Sequence, residues 1–181
     1  MPSDVRPLTY DAVGATRPHD PTWAERPAGF RALETTVPVG RGDAAWRAAA
    51  DAVLRWEVKT RSGFAVTPAD GGGPRAREGA DYRLCAALGP VGVLEPVRVV
   101  AVVDTPVRCG FAYGTLAGHP VSGEEAFVVA RDGDDVVLTL RSLTRPAADC
   151  PWRPLFPVLL LAQRVYRRRY VRALRRPRAT S

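Results

Sequence analysis

The chain predicts an α+β fold in which a curved antiparallel sheet wraps around one long C-terminal helix, and three observations predict it. One helical pattern follows the first strand. Alternating, strand-length segments then run almost without a break from residue 57 to residue 143, and a single long amphipathic pattern closes the chain. The 181 residues amount to one domain with room for a core, and 46% apolar and 25% charged residues exclude wholesale disorder and fibrous repeats.

Each element has its own signal. Residues 1–29 are rich in proline and poor in periodic apolar positions, so they read as an irregular arm laid over the domain. FRALETTVPVG, residues 30–40, has the β-branched content of a first strand. The next stretch reads as a helix capped by Asp43, with Trp46, Ala49, Ala50 and Val53 on one side. From residue 57 the period becomes two, giving strands at 57–67, 80–88, 94–103, 107–116, 123–131 and 135–143. The glycine-rich stretch 68–80 is a long loop, and Asp132-Gly133 marks a tight hairpin. A final helix spans about 154–176, with Leu155, Leu159, Ala162, Tyr166, Tyr170 and Ala173 on one stripe, Gln163 near its centre, and Arg164, Arg168, Arg172 and Arg175 opposite. Residues 30–176 thus read as one domain and 177–181 as a disordered tail. One face of such a sheet must be buried, and the helix with the longest apolar stripe is its partner. This is the helix-grip order of elements, whose curvature leaves a cavity between sheet and helix.

Charge is unevenly placed. The net charge is +7, and residues 164–178 hold eight arginines and no acid. That cluster reads first as a solvated or partner-facing helix end, with an interaction module for nucleic acid or an anionic membrane as the less favoured alternative. Lysine occurs once, at Lys59, in a chain with 25 arginines. Cys85, Cys109 and Cys150 lie far apart without a C-x-x-C pair, and the N-terminus lacks the apolar core of an export signal. The expectation is a cytoplasmic protein with no cofactor, metal site or transmembrane segment.

The segments LTYDAVGATR, PAGF at 27–30, RVV at 98–100, GFAYGTLAGHPVSGEEAF at 110–127 and TRP at 144–146 occur in an order that resembles uncharacterised protein family 0548, found in bacteria and plants. The resemblance implies kinship with helix-grip proteins of the START and Bet v 1 kind, which bind lipids or other apolar ligands.

The segment 110–127 also holds most of the candidate site chemistry. Alternation places Phe111, Tyr113 and Thr115 on one face, so Tyr113 is either a core aromatic or a ligand-orienting hydroxyl. Its glycines are bulge, turn and close-approach positions, since no helix follows to make a phosphate loop. His119 is suited to proton transfer, and Glu124 and Glu125 point to opposite faces, so one of them at most shares a site with it. These three are the candidates for acid/base catalysis, against a bland reading as a hydrogen-bonded loop. A carboxylate facing inward needs a partner, and Arg98 and Arg145 are available. The leading expectation is a small apolar or amphipathic ligand in a cavity of a few hundred cubic ångströms or more. Tyr113, Arg98, Gln163 and Glu125 would orient it.

Overall fold

Strand β1 (Arg31–Arg41) leads into helix α1 (Gly42–Leu54) and the short helix α2 (Glu57–Thr60). Six strands follow: β2 (Phe64–Pro68), β3 (Asp81–Leu88), β4 (Val91–Asp104), β5 (Arg108–Thr115), β6 (Val121–Asp132) and β7 (Asp135–Pro146). The structure is a computed structural model that describes residues 6–88, 91–147, 165–170 and 172–174. All seven strands form one antiparallel sheet in the order β1-β7-β6-β5-β4-β3-β2. The two helices therefore carry the chain from one sheet edge to the other, across the face they cover. Bulges between Pro38 and Gly40 and between Val99 and Ala101 interrupt the ladders and bend the sheet.

The β6–β7 hairpin turns through Gly133 and Asp134, with Asp132 paired to Asp135. Gly133 has φ +60° at the first loop position, where a type II′ turn wants glycine. The turn thus sits one residue later than Asp132-Gly133.

Two local expectations are corrected. Residues 57–60 are helical, and the strand expected from 57 begins only at Phe64. The cause is Trp56, which adopts φ +62° and turns the chain back on itself. Its ring is buried against Tyr82, Phe111 and Tyr113, and this packing outweighs the local alternation. Helix α1 begins at Gly42 with Arg41 as N-cap and no side-chain cap, so Asp43 lies in the first turn, where its charge suits the helix dipole.

The concave face carries the core. Trp46, Val53 and Leu54 of α1 pack with Leu84, Val97, Val99, Phe111, Phe127, Val129, Leu138 and Leu140. Residues 165–170 and 172–173 are helical and press Tyr166, Tyr170 and Leu174 onto the same core. Tyr166 packs against Phe64 with the rings tilted, and Tyr170 meets Phe127 edge-on. The expected helix between 154 and 164, with Gln163 and Arg164, and Arg175 beyond, lie outside the described residues.

The opposite face is covered by the N-terminal arm. Arg141, 1% exposed, reaches through it to the carbonyls of Thr16, Arg17 and Pro21 and to Glu34 at 3.0 Å. Arg108 holds the carbonyls of Pro18 and Asp20, and Leu8 bridges to Leu116. Gly114 lets the arm approach, because a Cβ there would lie 2.2 Å from the Tyr10 hydroxyl. Gly114→Ala is expected to cost about 1–3 kcal/mol by displacing Tyr10, a loss that urea denaturation will measure.

Candidate functional site

Strand alternation separates the adjacent glutamates Glu124 and Glu125. Glu125 faces the core, paired in register with Tyr113 on β5 and Ser142 on β7. Glu124 faces the arm, where its carboxylate accepts bonds from the Tyr10 hydroxyl (2.7 Å), the amides of Gly14 (2.7 Å) and Thr16 (2.9 Å), and the Thr16 hydroxyl. These four bonds hold the arm to the sheet and occupy both carboxylate oxygens of Glu124 on that side.

The inward glutamate has a partner the sequence reading did not name. Lys59, on α2 and 3% exposed in its side chain, places Nζ 2.9 Å from Glu125 Oε2 and donates to the Tyr170 hydroxyl at 2.7 Å. Tyr113 donates its hydroxyl to the same Glu125 oxygen. The ammonium also lies over the rings of Phe64 (4.5 Å), Tyr170 (4.6 Å) and Tyr113 (5.2 Å), whose π-faces favour a cation. Arg98 instead makes a two-pronged ion pair with Asp81 on the other face (2.6 and 3.0 Å), and Arg145 meets Asp11, Ser122 and the Phe30 ring. Neither arginine is the partner of Glu125. Arg98 also takes no part in lining the cavity.

A further carboxylate stands in the same place. Glu95 on β4 pairs in register with Leu84 and shares the inward parity of Val93 and Val97. His119, 6% exposed on the β5–β6 connection, holds Nε2 3.8 Å from Glu95 Oε2 while its Nδ1 meets the backbone of Val121. Among the described residues Glu95 is the carboxylate within 4 Å of the His119 ring, and the Glu125 charge also acts on it.

Together these groups line a cavity of about 80 Å³ between the sheet and the C-terminal helical residues. Phe64, Ala86, Val93, Val121 and Tyr166 form apolar wall, and Arg167 adds a second cation. Arg167 donates one N–H to the Ser142 hydroxyl at 3.2 Å, and its buried Nε has no hydrogen-bond partner among the described residues. The cavity falls short of the several hundred cubic ångströms expected and suits a small organic group rather than a lipid chain.

The ionisable groups have unlike acidities. Burial pushes the Glu95 carboxyl up to about 7, with the Glu125 charge adding to the rise and the Lys59 ammonium opposing it. Burial alone would also raise Glu125, but Lys59 and the Tyr113 hydroxyl hold it below the usual carboxylate range. Burial first, then Lys59, pushes the His119 imidazole down to about 3, so it is neutral at physiological pH. Burial and the Glu125 charge raise the Tyr113 and Tyr170 hydroxyls well above their ordinary value.

These shifts set a pH signature. Folded Glu95 holds its proton up to about pH 7 whereas the unfolded carboxyl loses it near 4.5, so its contribution to stability is full below 4.5 and lost as pH rises to 7. His119 acts in the opposite sense between about 3 and 6.5. Wild-type stability minus that of Glu95→Gln is expected to fall by up to about 3 kcal/mol between pH 4.5 and 7, as chemical denaturation across that range will read.

Of the basic surface, Arg168 and Arg172 are exposed, as is Arg169, which lies over the Tyr166 ring and reaches the Ser62 carbonyl. Among the described residues no helix is long and apolar enough to cross a membrane, and no group of three or more His, Cys, Asp and Glu side chains is placed to hold a metal ion. Cys85 and Cys109 are free thiols.

A curved seven-stranded sheet and a helical segment packed into its concavity define a helix-grip protein. Solved structures with this fold include a hypothetical protein of Helicobacter pylori (TM-score 0.52, 14% identity, covering 86% of this chain and 91% of that one). A Thermus thermophilus protein (TM-score 0.51, 13% identity, 80% and 94%) and a major latex-like protein of Panax ginseng (TM-score 0.50, 11% identity, 77% and 97%) share it. The chain belongs to the UPF0548 family, whose model, the domain of unknown function DUF1990, matches residues 9–173. A UPF0548 protein of Deinococcus radiodurans is 34% identical over 94% of this chain and 96% of its own length. One from Arabidopsis thaliana is 28% identical over 66% of this chain and 60% of its own length.

Lys59, Glu95, Tyr170 and Arg167 complete the cluster and are not among the site residues the sequence predicts. Two of them left a trace: Lys59 as the lone lysine among arginines, and Glu95 as a charge at the inward parity of an apolar strand. Tyr170 lies on the apolar stripe and is buried in the core, and its hydroxyl bond to Lys59 has no local signature.

Proposed function

We propose that the chain binds a small amphipathic molecule between sheet and C-terminal helix, its polar end on Lys59, Glu125 and Tyr113 and its apolar part against Phe64, Val93 and Tyr166. The observation that carries this reading is a buried ion pair placed at the wall of a cavity. Such a pair is expensive to bury, and replacing it with apolar side chains would generally stabilise a fold that needed only packing. Native mass spectrometry of the purified protein should show a retained small organic molecule, displaced in Ala86→Leu, which fills the cavity. A ligand-free protein whose Val93, Val121 and Tyr166 resonances ignore a fragment library would sink the proposal.

A second reading, proton-transfer catalysis, is favoured by two carboxylates of unlike acidity in one cavity, the usual mark of an acid/base pair. It moves the acid/base role from His119 to Glu95. Exchange of α-protons of small carbonyl compounds into D2O would be accelerated by the wild type and slowed at least tenfold by Glu95→Gln. Equal rates in both proteins would dismiss this reading.

A further inference from the structure

The cavity's unused hydrogen-bond donors identify the chemistry of its occupant. Lys59 has three Nζ protons, and its Glu125 and Tyr170 partners account for two. Arg167 also lines the cavity, and among the described residues its buried Nε–H has no hydrogen-bond partner. A buried unsatisfied donor on a cation is costly, and an oxyanion relieves it with the strongest class of hydrogen bond. We infer that the cavity takes a small organic carboxylate, received by the third Nζ–H of Lys59 and the Nε–H of Arg167, and that Glu95 takes up a proton as it binds. This deepens the amphipathic-ligand reading and rests on it.

The coupling follows from the groups around Glu95. Facing it are Lys59 from α2, Tyr113 from β5, His119 from the β5–β6 connection and Glu125 from β6. Arg167 and Tyr170 complete the wall from the C-terminal helical residues. His119 is neutral and Glu125 stays ionised, so Glu95 is the carboxyl able to change its charge near neutral pH. A carboxylate arriving beside ionised Glu95 meets repulsion that one proton removes. The bound form thus holds more protons, and affinity must fall as pH rises through 7.

Isothermal titration calorimetry with propionate, butyrate and benzoate, each against its own amide, tests this in buffers of different ionisation enthalpy. At least one carboxylate should bind about ten times or more tighter than its amide. It should take up about half a proton or more per ligand at about pH 8 and lose about tenfold in affinity from about pH 6.5 to 8.5. Glu95→Gln should flatten that dependence to within about twofold, and Arg167→Gln, which keeps the Lys59 pair intact, should weaken binding about tenfold or more. An amide that binds as well as its acid, or carboxylate binding without proton uptake, overturns the inference and leaves the ligand-binding reading standing. If neither acids nor amides bind, the inference fails, and a protein that also carries no native ligand takes the broader reading with it.

Discussion

Replacing Lys59 by Met is expected to destabilise the protein by about 3–5 kcal/mol, the largest single-residue effect in the cavity. The substitution leaves Glu125 in the interior without the cation that offsets its desolvation, and an unpaired buried charge is among the costliest defects a core can hold. It also deprives the Tyr170 hydroxyl of its donor and removes the cation from over the Phe64 and Tyr113 rings. The loss should grow as pH rises above 4.5, where unfolded Glu125 ionises but the desolvated folded carboxyl resists ionising, and should shrink in acid. Lys59→Met with Glu125→Leu removes both charges and is expected to recover most of the stability. Urea denaturation of the two single variants and the double variant completes the cycle, and a double variant no more stable than Lys59→Met would contradict the pairing.

Replacing Glu124 by Ala should cost about 3–5 kcal/mol as well, by a different route. Four donors lose their acceptor at once: the hydroxyls of Tyr10 and Thr16 and the amides of Gly14 and Thr16. Hydrogen bonds to a charged group contribute about 1.5–3 kcal/mol each, less than additively because water reaches the vacated site. The arm should loosen before the sheet does. Hydrogen exchange is therefore expected to accelerate at residues 9–17 while the amides of β5 and β6 stay protected, and proteolysis should cut first in the arm. Uniform acceleration across arm and sheet would show that Glu124 holds the whole fold rather than this contact.

The contrast between these two neighbours explains what the sequence could and could not disclose. Period-two alternation places Glu124 and Glu125 on opposite faces with no further information, and the same rule gathers Phe111, Tyr113 and Phe127 onto the core side. Which face becomes the cavity depends on where the arm and the C-terminal helix settle, a property of the assembled chain. Helix α2 was hidden for a similar reason, since the left-handed turn at Trp56 is held by rings that come from β3 and β5. Arg98 shows the limit from the other side. It has the chemistry to pair with a buried glutamate and sits one residue out of phase with the inward positions, so it meets Asp81 instead.

Lys59 is the sole side-chain amine of the protein, and the fold shuts it away from solvent. Apart from a chain terminus, an amine-directed acylating reagent has nothing else to attack. The appearance of one acyl group, followed by mass spectrometry, would therefore clock the rate at which the sheet and its helix part company. Any small molecule seated beside Lys59 would slow that clock, so occupancy of the cavity can be timed without knowing what fills it.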